Sequence, residues 1–237
     1  MKISFYTFIL YIISTYSYSQ TLSKGWSTFS GKIDNYPIKI SIYNDENDKL
    51  SGNYCYNKQE QRITIKGTKN GSQVYLEEVI ENKKNASFEG SIDENTNSIS
   101  GKWINATNNK ELNFNLNLSS RSGETFENRY FSEISNESVE LFMKKTKESI
   151  IKKQKDWLSQ NIKYPISVAV FKKKIKIKNQ KEFLAKYSAI FSVQFINEIK
   201  KSCSCDIFSN YQGAMFADGL IWVNGFNGNL KITTINN

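Results

Sequence analysis

Between Trp26 and Leu118 the chain alternates apolar and polar positions in short runs, and one phrase recurs: an apolar residue, any residue, then glycine. It stands as Phe29-Ser30-Gly31, Leu50-Ser51-Gly52, Ile65-Lys66-Gly67, Phe88-Glu89-Gly90 and Ile99-Ser100-Gly101. A period of two predicts strands over 26–33, 36–43, 50–56, 62–66, 74–80, 88–92, 99–104 and 112–118. Pro37 sits at a strand entrance, where its missing N–H is tolerated. Polar clusters such as Asn44-Asp45-Glu46-Asn47-Asp48-Lys49 and Lys69-Asn70-Gly71 supply the turns. About eight short strands on short loops predict an antiparallel β-meander closed into a barrel or nearly so. Closure would remove the sticky edges of so many strands, and glycines within strands suit the bends a small barrel needs.

After a polar, mixed stretch at 121–137 the period changes. Val139, Phe142, Met143, Thr146, Ile150, Ile151, Trp157 and Leu158 recur at helical spacing and predict one amphipathic helix over 138–161. Tyr164-Pro165-Ile166 opens a strand to Phe171, and Ile175 to Lys178 continues extended. Asn179 is a candidate cap for a second helix, with Glu182 three residues on. Phe183, Tyr187, Ile190, Phe191, Phe195 and Ile199 would line that helix's apolar face. The tail is strand-like and punctuated by Gly213, Gly219, Gly225 and Gly228. The fold expected is therefore a β-meander barrel over 20–120, a linker over 121–137, and an α+β domain over 138–237 with two helices on a curved antiparallel sheet.

Composition adds an address. Hydrophobic residues at 39% and aromatics at 14% suffice for packed cores, so a globular chain is expected. Lys2 followed by the apolar run Ile3 to Ile13 reads as a secretory signal over 1–19, with Ser17 and Ser19 placed for cleavage before Gln20. The run is shorter than the ~20 apolar residues of a spanning helix, so the mature protein is not expected to span a membrane. A periplasmic or secreted location follows. Two prolines among many Asn, Lys and Ile residues fit a bacterial source.

Charge is uneven. From Gln20 to Arg121, 13 basic residues meet 12 acidic ones, whereas 18 meet 11 from Ser122 to the end. The excess sits in the second half and is compatible with an anionic surface such as lipopolysaccharide or acidic polysaccharide. The exported address argues against nucleic acid. Lys172, Lys174, Lys176 and Lys178 alternate along one extended stretch and share a face, either as an anion-binding surface or as protection of a sheet edge.

The chain contains no histidine. That removes histidine triads, histidine general bases and ordinary zinc sites. No phosphate-cradling glycine loop is present. No catalytic residue, cofactor or metal is expected. A cysteine-only site would need Cys55 to join Cys203 and Cys205, where three thiolates suit a soft ion such as Cu(I). Buried or free cysteines are the first expectation. Cys203 and Cys205 are too close for a relaxed bridge in an extended segment, so if an oxidising compartment forms one, Cys55 to either is the expected pairing and would staple the domains, leaving one thiol over. Paired carboxylates hydrolyse glycosides without histidine, and Glu77 and Glu81 share a strand face by parity while Glu78 faces away. Tyr211, Phe216, Trp222 and Phe226 cluster in the last strands, as core or as the lining of a ligand pocket.

Two resemblances follow from these motifs. Gly31, Tyr36-Pro37-Ile38, Leu50-Ser51-Gly52-Asn53-Tyr54, Ile65-Lys66-Gly67 and Ile99-Ser100-Gly101-Lys102-Trp103 resemble a meander of exported bacterial proteins of unknown function, and look like the avidin and lipocalin type of barrel. The order of elements from Ser138 to Ile235 is similar to NTF2-like and cystatin-like α+β domains, which implies a sheet wrapped on a helix and often a pocket. Fold likeness alone assigns no function. The expectation is a non-enzymatic exported binding or interaction protein of the bacterial envelope, with a small molecule, envelope protein or glycan as partner. The alternatives are a carboxylate-dependent hydrolase of envelope glycans and a secreted inhibitor or immunity-type protein.

Overall fold

The computed structural model describes residues 21–56, 59–123, 125–127, 129–170 and 173–237. The expected signal at 1–19 lies outside the described residues, as do Phe171 and Lys172. Eight strands form a closed barrel: β1 (Gly25–Ile33), β2 (Tyr36–Asn44), β3 (Lys49–Tyr56), β4 (Arg62–Asn70), β5 (Gln73–Ile80), β6 (Lys83–Asp93), β7 (Ser98–Asn105) and β8 (Glu111–Ser122). Each pairs antiparallel with the next, and β1 closes on β8 with Gly31 opposite Leu116. All eight are the strands the alternation predicts.

Alternation sends every second side chain inward. Phe29, Ile40, Ile42, Leu76, Phe88 and Leu116 are buried in one apolar cluster, and the Phe88 ring meets Tyr54 and Phe114 edge-on at 5.3 Å each. Leu22, fully buried, belongs to the same cluster, with its carbonyl held by Asn44 Nδ2 at 3.1 Å. The barrel is filled by its own side chains.

The recurring glycines now have a reason. Being two residues after an inward apolar position, each lies on the inward face. A Cβ on Gly67 would stand 1.8 Å from the Tyr75 carbonyl oxygen, and one on Gly31 1.9 Å from that of Asn115. The neighbouring backbone occupies the space a side chain would need, so these strands bend sharply enough to close a small barrel.

The second domain comprises α1 (Asn136–Ile151), α2 (Lys155–Gln160), β9 (Ile162–Val170), β10 (Lys173–Ile177), α3 (Gln180–Ile190), α4 (Val193–Lys201), β11 (Phe208–Asn210), β12 (Gly213–Phe216), β13 (Ile221–Phe226) and β14 (Asn229–Asn236). The sheet order is β10-β9-β14-β13-β12-β11. Two expectations are corrected. The sheet is mixed, because β14 runs parallel to β9. Among the described residues the helices are four, because each expected helix breaks once. The first breaks within five successive polar residues, Lys152 to Asp156, where nothing can be buried and Lys153 turns with φ of 54°. The second breaks at Ser192, whose side chain caps a new helix by accepting from Phe195 N. Asn179 caps α3 as expected, accepting from Glu182 N at 2.9 Å.

Val139, Met143, Ile150, Phe183, Ile190 and Ile199 of the helices pack with Ile166, Val168, Phe216, Val223 and Ile235 of the sheet in one core. The two domains thus have two separate apolar cores. Among the described residues no helix is long and apolar enough to cross a membrane.

Candidate functional site: the seam between barrel and sheet

Positions that alternate with the inward residues of β1 to β4 point away from the barrel interior, and the second domain lies against them. Thr28 and Ser41, opposite one another on β1 and β2, both accept from Arg129 Nη2, at 3.3 and 2.6 Å. Arg129 is 3% exposed, and its guanidinium lies 4.9 Å from the Trp26 ring and 4.8 Å from that of Tyr130. A planar, weakly hydrated cation suits such a sandwich. Its carbonyl accepts from Ser209 Oγ on β11 at 3.1 Å, so one residue grips both domains.

Ion pairs extend the seam. Arg62 on β4 meets Glu140 of α1 at 2.9 Å, and Lys39 on β2 pairs with Asp206. Lys147 of α1, buried despite its charge, donates to Glu60 and to the Ser202 carbonyl. Ser204 Oγ donates to the second oxygen of Glu60 at 2.7 Å. A buried pair needs such extra hydrogen bonds to offset the loss of water.

Between these pairs lie the three cysteines. Cys55 points outward from β3, since its neighbours Tyr54 and Tyr56 belong to the barrel's core cluster. It meets Cys203 and Cys205 in a third, small buried cluster. Cys55 is bonded to Cys205 across 150 residues, an inter-domain staple in place of the free or buried cysteines first expected. Beside Cys205 a cleft of about 380 Å³ opens between the domains, lined among others by Glu60, Arg62, Glu137, Glu140, Lys144 and Ser204.

Other candidate residues are placed as follows. Tyr211 is 93% exposed in the β11–β12 turn, whereas Phe216 is buried against the helices. Trp222 and Phe226 are half-buried at alternate positions of β13, and Phe226 lies under Lys163 Nζ at 4.8 Å. The four do not share one site. Lys174 and Lys176 are exposed on β10, an edge strand, and Lys178 follows it. Glu77 accepts from Tyr75 and pairs with Lys84, and Glu81 sits in the β5–β6 turn.

Glu78 is the carboxylate that the fold encloses. It lies inside the barrel, 1% exposed, and accepts from Tyr54 Oη, Trp103 Nε1 and Asn85 Nδ2. Burial, and then the charge of Glu78, push the Tyr54 phenol far above its ordinary pKa. Three donors on one buried carboxylate make this a polar tie among β3, β5, β6 and β7.

Sequence reasoning passed over Arg129, Glu60 and Lys147. Their signal is faint: Arg129 lies in a polar linker, and Lys147 occupies a position of α1 between apolar ones. No protein-family model matches the chain, and no curated protein matches it.

Proposed function

We propose that the mature chain is a non-enzymatic interaction protein of the bacterial envelope, exported by the apolar leader at its start, and that it takes a polar partner at the seam. The filled barrel interior carries this reading. Lipocalin-like recognition needs a cavity for an apolar ligand, and here Phe29, Phe88, Phe114 and their neighbours occupy that space. A concave surface at the seam is the cleft beside Cys205, where Glu137, Glu140, Arg62 and Lys144 interleave charges of both signs. Such a lining favours a protein partner carrying complementary charges over a polyanion or an apolar small molecule.

The test is native mass spectrometry of the mature protein isolated from its own host's exported fraction. A stoichiometric protein adduct is expected, lost on Glu137→Lys with Lys144→Glu while thermal stability is kept. A stoichiometric small apolar adduct would overturn the reading. Turnover on glycan panels, abolished at Glu77 or Glu81, would replace it with the hydrolase alternative.

A further inference from the structure

The seam holds more sulfur than one bridge can use. Cys55 Sγ and Cys203 Sγ both lie against Cys205 Sγ, each placed for a bridge to it. A sulfur already attached to its own Cβ forms a single S–S bond, so the two bridges are alternatives. In either one the third sulfur is a thiol held against the bridge. Cys55 Sγ and Cys203 Sγ are 3.7 Å apart, and all three sulfurs lie within 4.8 Å of one another.

Disulfides rearrange by attack of a thiolate on a disulfide sulfur, and holding the reactants together removes the entropic cost of their encounter. We infer that Cys55, Cys203 and Cys205 form an internal thiol–disulfide exchange centre that moves the bridge between an inter-domain and an intra-domain position. The Cys203 thiol gives up its proton and its sulfur bonds to Cys205 Sγ. The Cys55–Cys205 bond breaks with its electron pair on Cys55 Sγ, which takes up a proton. One disulfide and one thiol stand on each side of the step, so it consumes no oxidant or reductant.

The two bonded forms differ in what they tie. Cys55–Cys205 spans 150 residues and joins barrel to sheet, whereas Cys203–Cys205 spans two and lies within the second domain. Exchange therefore makes or breaks the covalent link between the domains at constant oxidation level. The sulfurs stay together in both forms because Lys147 and Ser204 hold the 202–204 segment to Glu60. The Cys205 backbone N–H donates to Cys203 Sγ at 3.3 Å and holds that sulfur beside the bridge. This centre is independent of which partner the cleft takes.

The decisive measurement uses the wild-type mature chain. Thiols are trapped by acid quench and maleimide under denaturing conditions, and the non-reduced digest is mapped by mass spectrometry. One label per chain is expected, divided between Cys203 and Cys55, together with both cross-linked peptides. A label confined to one cysteine, or three labels, would overturn the inference. The variants provide an independent reading after equilibration with reduced and oxidised glutathione. Cys203→Ser should hold the Cys55–Cys205 bridge and Cys55→Ser the Cys203–Cys205 bridge, so the label falls from one to none in each. Two persistent thiols in a folded Cys55→Ser chain would also sink it.

Discussion

The barrel interior and the inter-domain seam lie on opposite sides of the same strands, and they are built from different chemistry. Inside, Phe29, Ile40, Phe88 and Leu116 exclude water by packing, and an enclosed carboxylate, Glu78, is held by three donors. Outside, Thr28, Lys39, Ser41, Cys55 and Arg62 meet the second domain through hydrogen bonds, ion pairs and sulfur. Apolar packing depends on shape and volume and tolerates no rearrangement without a void. Polar and covalent contacts have discrete partners that can be exchanged. The interior is therefore the scaffold, and the seam is where a change of state is affordable.

The largest test of that contrast is Phe88→Ala, which empties the centre of the barrel and should cost about 3–5 kcal/mol, read from the denaturant midpoint of the barrel transition. The barrel should be far more sensitive to it than the second domain, whose core is separate. Next is Cys55→Ser, which removes the long-range bridge and should cost about 2–5 kcal/mol. Scanning calorimetry without reductant should then show two transitions where the bridged chain shows them merged. A single unchanged transition would mean that the polar contacts alone couple the domains.

Tyr54→Phe probes the polar tie inside the barrel. It leaves Glu78 with two donors and should cost about 1–3 kcal/mol, measured by urea unfolding. Alkaline titration sharpens the comparison further. Burial raises the Tyr130 and Tyr187 phenols from their ordinary 10.0 to about 12. A pKa raised in the folded state stabilises fully below the unfolded value and loses that contribution as pH climbs through the folded one. The second domain should thus hold its stability up to about pH 10 and lose it toward pH 12, seen as tyrosinate absorbance together with loss of helical circular dichroism. Tyr54, pushed higher still, should ionise only when the barrel opens. The smallest effect belongs to Lys174→Glu with Lys176→Glu on the β10 edge, expected within ~0.5 kcal/mol of wild-type stability. Unchanged retention on heparin would leave these lysines as edge protection, and lowered retention would assign them an anion surface.

Most of the fold was legible because it is written in short-range periodicity. The period of two located all eight barrel strands, and the apolar-x-glycine phrase marked where they bend. Helical spacing located the helical segments, yet their breaks were less visible. Lys152 to Asp156 contains neither glycine nor proline, and Ser192 is one serine among many. The parallel pairing of β14 with β9 was hidden as well, since alternation reports which face a residue takes and not which strand lies beside it.

The candidate site was legible only in part. Three cysteines made free or buried thiols the first reading and a Cys55 bridge the second, and the seam holds the bridge. Tyr211, Phe216, Trp222 and Phe226 were close in sequence but are divided between a turn, the core and the outer sheet face. The sequence alone determined the alternation, the inward glycines and the supply of sulfur and charge, because these are properties of neighbours along the chain. Only the tertiary structure decided that Arg129 reaches Ser41, that Glu60 receives Lys147, and that the Cys55 sulfur meets those of Cys203 and Cys205. Those meetings depend on closing loops of 88, 87 and 148 residues, and local propensity carries no record of where such loops close.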